Sequence, residues 1–266
     1  MSQAAGLPLW WQPQMLALDE CWHYAVGPLT LYIKRSQQEW LFSHEYSKDP
    51  DAAYRVDSQA AACLPELLAC QRFIFRHSPT TFRLQPRLLD RPVVIKTRQS
   101  VSIPAGEQCV FYISSPLQLE LTLLDPLQSL FTLPIQRLSD TWFGANTQQG
   151  ELCYADKTQA RHSLAEIPAR PHRAVTPITI ENRSAKMLTI DKLSIPLPYL
   201  ALYGGDDGSL WTDPITLQHE NLTSLTRFQL NQQLPQGITS RHQLAAPAST
   251  PDKQGLIRAF TGIFNQ

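Results

Sequence analysis

Hydrophobic and polar residues alternate with period two along most of the chain, which is the pattern of a half-buried β-strand. The alternation is clearest over residues 29–33 and 117–123, where every second residue is Leu or Ile. Pro and Gly residues interrupt such runs about every ten residues, as in domains built from many short strands. The pattern therefore predicts an all-β protein made of β-sandwich lobes, immunoglobulin-like or jelly-roll-like.

The strand pattern is interrupted over residues 136–174 and ends after residue 230, which suggests a division into four parts. Residues 1–135 are expected to form an N-terminal β-sandwich lobe and residues 175–230 a C-terminal β lobe. Residues 136–174 have little periodicity and are expected to be an irregular connector. Residues 231–266 are expected to comprise a linker and a short terminal helix.

Two segments have helical rather than strand-like composition. Residues 57–71 are rich in Ala and Leu, although Pro65 limits them to one short helix or two turns. Near the C-terminus, Thr250 is a plausible N-cap and Pro251 suits the first helical position. The apolar residues that follow have helical spacing, at i, i+4, i+7 and i+8: Leu256, Phe260, Ile263 and Phe264.

Composition and charge exclude several classes of protein. The chain has 266 residues with 43% hydrophobic residues, too many for a disordered chain. Its 23 Lys and Arg balance its 23 Asp and Glu, whereas general nucleic-acid binding needs a basic face. The 21 Pro residues exceed the roughly 13 expected at average usage, which disfavours long helices.

Cysteine usage and the absence of targeting signals favour the cytoplasm. The five cysteines are odd in number and include no Cys-x-x-Cys pair, so reduced, buried thiols are expected rather than disulfides or a zinc site. No basic segment precedes Asp19, and no apolar run is long enough to span a membrane. Trp10 and Trp11 suit either peripheral membrane contact or burial at a domain edge.

The common catalytic, nucleotide-binding and metal-binding motifs are missing from the sequence. It has no Walker loop, no Gly-x-Ser-x-Gly elbow and no His-Glu-x-x-His zinc motif, so no catalytic residue, cofactor or metal is expected. Asp206 and Asp207 could bind calcium, but their place between glycines favours the turn of a hairpin.

Polar and aromatic residues concentrate at the start of the connector. Arg137, Asp140, Trp142 and Tyr154 are candidate partner-binding residues, because aromatic and charged side chains on a long loop are typical of binding surfaces. The same residues would equally suit a loop that folds over the core with Trp142 as its anchor.

The most basic segment of the chain follows in the same connector. Arg161, Arg170, His172 and Arg173 are candidates for docking an acidic partner or an anionic lipid surface. An ordinary solvated connector would explain these residues as well.

Several stretches resemble a prokaryotic family known as domain of unknown function 432. They are residues 103–107 (IPAGE), 111–117 (FYISSPL), 136–144 (QRLSDTWFG), 150–154 (GELCY), 170–174 (RPHRA) and 176–177 (TP). The similarity covers about residues 20–230. It implies a genomic context beside small-conductance mechanosensitive channels, and hence a cytoplasmic accessory partner of such a channel.

Three functions follow from these observations. The first is a non-enzymatic cytosolic interaction or regulatory module, in which the partner is a protein such as a mechanosensitive channel. The second is a small-ligand or carbohydrate-binding β-sandwich. The third is an enzyme whose active-site residues come from distant strands and leave no local motif.

Overall fold

The computed structural model describes residues 9–144, 146–220, 226–231, 242–251, 256–257 and 259–261, with only the backbone for residues 98, 256, 260 and 261. Strands dominate these residues, and the all-β prediction is confirmed. Short 3-10 helices occupy Pro50–Tyr54, Leu164–Glu166 and Leu197–Tyr199. Within the described part of the chain, no helix is long and apolar enough to cross a membrane.

The strands are numbered in chain order. The first are β1 (Gln14–Met15), β2 (Cys21–Val26), β3 (Leu29–Arg35), β4 (Glu39–Tyr46), β5 (Val56–Ala61), β6 (Gln71–Ile74) and β7 (Thr81–Leu88). The next are β8 (Val93–Ile103), β9 (Gln108–Leu124), β10 (Leu127–Pro134), β11 (Ser139–Gly144), β12 (Gly150–Gln159), β13 (Arg173–Asn182) and β14 (Leu188–Ile195). The last are β15 (Leu202–Gly204), β16 (Leu210–Thr212), β17 (Ile215–His219), β18 (Thr226–Leu230), β19 (His242–Ala245), β20 (Leu256–Ile257) and β21 (Phe260–Thr261).

These strands form three sheets. The N-terminal sheet has the order β5–β2–β3–β4–β6 and is antiparallel throughout. The central sheet has the order β1–β7–β9–β13–β16–β15–β19, and β10, β17, β18 and β20 branch from this path. The third sheet has the order β11–β12–β8–β14–β21. Because β9 pairs with β13 along most of its length, strand pairing runs across the lobe boundaries expected at residues 135 and 175.

Aromatic side chains join the N-terminal sheet to the central sheet. Phe82 on β7 lies edge-on to Tyr24 and Trp40, with ring centroids 5.7 and 5.3 Å apart. Phe131 on β10 contacts Phe42 at 5.0 Å. These rings belong to a continuous core that includes residues of all three sheets, so the sheets pack as one unit.

The first segment with helical composition, residues 57–71, contains no helix in the structure. Its start belongs to a strand, and turns and loop follow over residues 62–70. Val56–Ala61 forms β5, which pairs with β2 along its full length from Val26↔Val56 to Cys21↔Ala61. Helical propensity differs between residues by only tenths of a kcal/mol, so the hydrogen bonds offered by the edge of β2 override it.

The prediction of a terminal helix is also wrong for the residues of this segment that the structure describes. Leu256–Ile257 is β20 and pairs with β18, and Phe260–Thr261 is β21 and pairs with β14. Ile257 and Ala259 are both buried. They are two residues apart, and side chains with this spacing lie on the same face of a strand. Ile263 and Phe264, the rest of the predicted apolar face, lie outside the described residues.

The connector is more regular than expected, because β11 and β12 form an antiparallel hairpin within residues 136–174. The predicted Gly/Asp hairpin is confirmed between β15 and β16. At its tip Asp207 accepts hydrogen bonds from the backbone N–H and hydroxyl of Ser209, and Gly208 has φ of 79°. Asp207 therefore has a structural role in the turn, and Asp206 lies 3.2 Å from Nε2 of His242.

The cysteines agree with the expectation of buried thiols only in part. All five are free, but only Cys21 and Cys153 are buried.

The two N-terminal tryptophans are buried. Trp10 and Trp11 are each 7% exposed, and the Trp10 indole donates to the Pro171 carbonyl at 2.8 Å. Burial at the domain edge therefore accounts for this pair.

Candidate functional site

The β11–β12 hairpin carries three of the sequence-predicted residues on one face. Residues that pair across antiparallel strands project to the same side, and the pairs here are Asp140↔Tyr154 and Trp142↔Leu152. The opposite face holds Phe143 and Cys153, which pack with Val94 as a small buried cluster. We call Asp140, Trp142, Leu152 and Tyr154, together with Arg91 beside them, the hairpin patch.

The indole of Trp142 is exposed but held in place. It is 49% exposed, and its Nε1 donates to the carbonyl of Asn146 at 2.8 Å. It also lies directly on Gly150, where a Cβ atom would come within 2.4 Å of Nε1. The Asn146 side chain accepts from the N–H groups of Gln148 and Gln149, which orders the turn. An aromatic surface fixed in this way loses little conformational entropy on binding.

Charged groups surround the aromatic part of the hairpin patch. The Arg91 guanidinium lies 5.3 Å from the centre of the Tyr154 ring and donates to Asp140 at 3.2 Å. The Tyr154 hydroxyl donates to Asp90 at 3.0 Å. Partial burial and this hydrogen bond raise the pKa of Tyr154, so its hydroxyl stays protonated at neutral pH. The patch thus offers an apolar centre with a polar border, which is the usual anatomy of a binding interface.

Two other sequence-predicted arginines attach the connector to the N-terminal part of the chain. Arg137 lies over the Tyr46 ring at 4.9 Å, and Arg170 lies over the Tyr54 ring at 5.6 Å. Both contacts are cation–π interactions, with Tyr46 at the end of β4 and with Tyr54 at the end of the 3-10 helix that precedes β5. These arginines therefore stabilise the packing between segments distant in sequence rather than extending the hairpin patch.

Arg173 is the centre of a buried polar network. It is 5% exposed and forms an ion pair with Asp156, whose side chain is equally inaccessible. Its guanidinium also donates to the Ser114 hydroxyl and to the Gln136 side chain, each at 2.9 Å. Every nitrogen of this guanidinium is thus satisfied within the protein. The sequence predicts a docking role for Arg173, but in this position no partner can reach it.

His172 is also buried, at 2% exposure. Its Nδ1 faces Gly27, where a Cβ atom would approach to 2.4 Å, and has no hydrogen-bond partner among the described residues. Burial, with the neighbouring positive charges of Arg173 and Arg170, lowers the pKa of His172 to about 3. The imidazole is therefore neutral at physiological pH and acts as a packing group between β13 and the N-terminal sheet.

The lowered pKa of His172 predicts acid sensitivity. In the unfolded chain the histidine binds a proton near pH 6.5, whereas in the folded protein it does so only near pH 3. Its contribution to stability is therefore complete above pH 6.5 and is lost as pH falls toward 3, by about 3–5 kcal/mol in total. Urea denaturation between pH 7 and pH 4 should show this decline, and His172→Gln should make it shallower. An unchanged pH slope in the variant would contradict this assignment.

Arg161 lies away from the hairpin patch. Its backbone forms an isolated antiparallel bridge with Tyr112, with hydrogen bonds of 2.7 and 3.0 Å. Its side chain lines a separate cleft of about 330 Å³ between β8 and β9. The structure therefore does not bring the eight predicted residues together. Asp140, Trp142 and Tyr154 lie in the hairpin patch, and Arg161 lines this cleft. Arg137, Arg170, His172 and Arg173 make packing contacts or are buried.

Sequence reasoning missed several residues that complete these groups. Arg91 and Leu152 belong to the hairpin patch, and Asp90 accepts the hydrogen bond of its Tyr154. Asp156 and Gly27 explain the positions of Arg173 and His172. The alternation from Leu152 to Tyr154 could have indicated Leu152 as a surface neighbour. Among the described residues there is no group of three or more His, Cys, Asp or Glu that could hold a metal ion.

Comparison with known proteins places the chain in a family without indicating an activity. No curated protein and no solved structure matches it. The family model described as "Protein of unknown function (DUF432)" matches residues 10–265, a longer stretch than the resemblance in the sequence suggested. Because that match covers nearly the whole chain, the protein belongs to the DUF432 family.

Proposed function

We propose that this protein is a non-enzymatic interaction or regulatory module that binds a partner protein through the hairpin patch. The observation that carries the proposal is the Trp142 indole, half-exposed yet fixed by Asn146 and Gly150. Tryptophan and arginine are the residues most often found at the energetic centre of interfaces. Here Trp142 lies on the exposed face of the hairpin, and Arg91 lies beside that face, against Asp140 and Tyr154.

The position of the hairpin supports the same proposal. β11 is at one end of the third sheet, and within the described residues its outer edge pairs with no other strand. An exposed edge can accept an extended segment of a partner through backbone hydrogen bonds. The hairpin patch would then supply side-chain specificity beside that edge.

The proposed partner is a small-conductance mechanosensitive channel, and the proposed location is the cytoplasm, beside the membrane. Both rest on the family resemblance. In this arrangement the folded domain stays outside the bilayer and contacts the channel's cytoplasmic part. Membrane association then depends on the channel rather than on Trp10 and Trp11, which are buried.

Trp142→Ala is expected to weaken binding to the purified channel about 30-fold or more, because hot-spot side chains contribute at least about 2 kcal/mol. Biolayer interferometry with the channel in detergent or nanodiscs measures the affinity. Since Trp142 is half-exposed, the melting temperature should fall only slightly. The matched control is Leu127→Ala, which removes a 78% exposed side chain on β10 in the central sheet.

Two outcomes would contradict this assignment. If Trp142→Ala binds as well as the unmodified protein, the hairpin patch is not the contact surface. If the variant loses stability while its affinity is unchanged, Trp142 serves only to fold the hairpin.

A carbohydrate-binding function is the second candidate, and the same indole favours it. A fixed aromatic face can stack on a sugar ring, while Asp140 and Arg91 offer an acceptor and donors for hydroxyl groups. The other tryptophans are less suited, since Trp40 and Trp211 are buried. Quenching of tryptophan fluorescence by a glycan panel tests this function. A flat response throughout would exclude it.

We also propose that the fold is of the β-sandwich type, with immunoglobulin-like or jelly-roll-like lobes. The facing aromatic contacts of Phe82 and Phe131 with the N-terminal sheet support this architecture.

A further inference from the structure

The cleft that contains Arg161 is shaped by two interruptions of regular strand pairing. Along β8 and β14 the register passes from Val101↔Ile190 to Lys96↔Lys192, so four residues of β8 lie opposite Asp191 alone. The Thr97 hydroxyl contacts the carbonyls of Ile190 and Asp191, at 3.2 Å each, and holds this bulge in place. Bulges of this kind often lie beside functional sites, where they redirect side chains.

The second interruption is on β12. Its pairing with β8 shifts between Ala155 and Gln159, so three residues of β12 lie opposite one residue of β8. This shift turns Asp156 toward Arg173 and carries the chain onward to Arg161 and His162. The cleft is lined by Thr97, Gln99 and Ser100 of the first bulge and by residues that follow the second, from Ala160 onward. Its volume of about 330 Å³ is at the lower end of the range for small-molecule sites.

The cleft is lined by apolar residues and by residues of opposite charge. The apolar residues are Val101, Phe111 and Ala160, of which Val101 offers the most surface, because Phe111 is only 2% exposed and Ala160 only 9%. Arg161 and Glu166 line the same cleft, yet among the described residues neither takes part in an ion pair with the other or with a third group. A guanidinium and a carboxylate are thus both available to a ligand.

His162 adds a third polar group with a defined orientation. Its ring packs on Phe111 with centroids 4.6 Å apart, and its Nδ1 lies 3.3 Å from the Val110 carbonyl. The same Nδ1 also lies 3.6 Å from the Cys109 thiol, so it can donate to the carbonyl or accept from the thiol. In the tautomer that donates from Nδ1 to the carbonyl, Nε2 of the neutral ring is an acceptor.

We propose that this cleft binds a free α-amino acid with an apolar side chain. The carboxylate pairs with Arg161, whose planar guanidinium suits a carboxylate with two parallel hydrogen bonds. The ammonium group pairs with Glu166 and donates to His162, and the side chain packs against Val101. Unpaired opposite charges beside an apolar surface are complementary to such a zwitterion. The site is independent of the hairpin patch.

Isothermal titration calorimetry with three related compounds tests the proposal. Leucine should bind, whereas leucinamide, which lacks the carboxylate, and 4-methylpentanoate, which lacks the ammonium group, should bind at least about tenfold more weakly. Arg161→Gln should weaken leucine binding about 10- to 100-fold. Glu166→Gln should weaken leucine binding but leave 4-methylpentanoate binding unchanged.

The matched control is Arg76→Gln, which removes an exposed arginine outside the cleft and should leave leucine binding unchanged. Thermal melts of each variant show whether it is folded. The proposal is overturned if leucinamide binds as tightly as leucine, or if folded Arg161→Gln retains full affinity. It is also overturned if no apolar amino acid binds at millimolar concentration. Because channel binding by Arg161→Gln should be normal, failure here is distinct from failure of the proposed function.

Discussion

Replacing Arg173 with methionine is expected to lower the free energy of unfolding by about 3–5 kcal/mol, one of the two largest effects we anticipate. Arg173 and Asp156 are both inaccessible to water, so the substitution leaves a carboxylate buried without its cation. It also removes the donors for Ser114 and Gln136. A buried polar group without a partner retains its full desolvation cost.

Urea denaturation, followed by tryptophan fluorescence, measures the effect of Arg173→Met. Arg137→Met is the matched control, because Arg137 is exposed and its cation–π contact with Tyr46 should contribute about 1 kcal/mol or less. The double variant Arg173→Met/Asp156→Leu should be more stable than Arg173→Met alone, since it removes both charges. A loss below about 1 kcal/mol in the single variant would show that the network contributes little to stability.

Gly27→Ala is expected to be similarly damaging, with a loss of about 2–5 kcal/mol. Gly27 has φ of 57°, a conformation that costs energy for any residue with a side chain. In addition, the new methyl group would lie 2.4 Å from Nδ1 and 2.5 Å from Cγ of His172. The histidine is 2% exposed, and a buried side chain in a close-packed interior can shift only at the cost of its own packing.

Two comparisons separate the steric cost of Gly27→Ala from the backbone cost. Gly106 has φ of 78°, and no atom lies within 4 Å of the position that a methyl group would take there, so Gly106→Ala should cost only about 1 kcal/mol. Combining Gly27→Ala with His172→Ala should remove the clash, so the double variant should lose less than the sum of the single losses. Equal losses for Gly27→Ala and Gly106→Ala, in urea denaturation, would contradict the role given to His172.

The local sequence pattern was sufficient to predict those strands that pair with neighbours close in sequence. The alternation at Leu29 and Leu31 predicts β3, and the Gly/Asp turn predicts the β15–β16 hairpin. It failed for Val56–Ala61 and Leu256–Ile257, because these strands are determined by distant partners, β2 and β18. Such pairing is set by tertiary contacts that local propensity does not encode.

The candidate site shows the same limit. Asp140, Trp142 and Tyr154 could be identified because the hairpin that unites them is local in sequence. Arg173 could not be assigned to the interior, since its partners Ser114 and Gln136 are 59 and 37 residues away. A basic segment looks the same in sequence whether its charges face solvent or buried acceptors.

The most direct test of the proposed function is quantitative affinity purification of the tagged protein from gently solubilised native membranes. The unmodified protein, Trp142→Ala and Leu127→Ala would be compared by mass spectrometry of the proteins that accompany them. We expect a small-conductance mechanosensitive channel to be enriched with the unmodified protein and with Leu127→Ala, and to be lost with Trp142→Ala. Recovery without a channel, or equal enrichment by Trp142→Ala, would contradict binding of a channel through the hairpin patch.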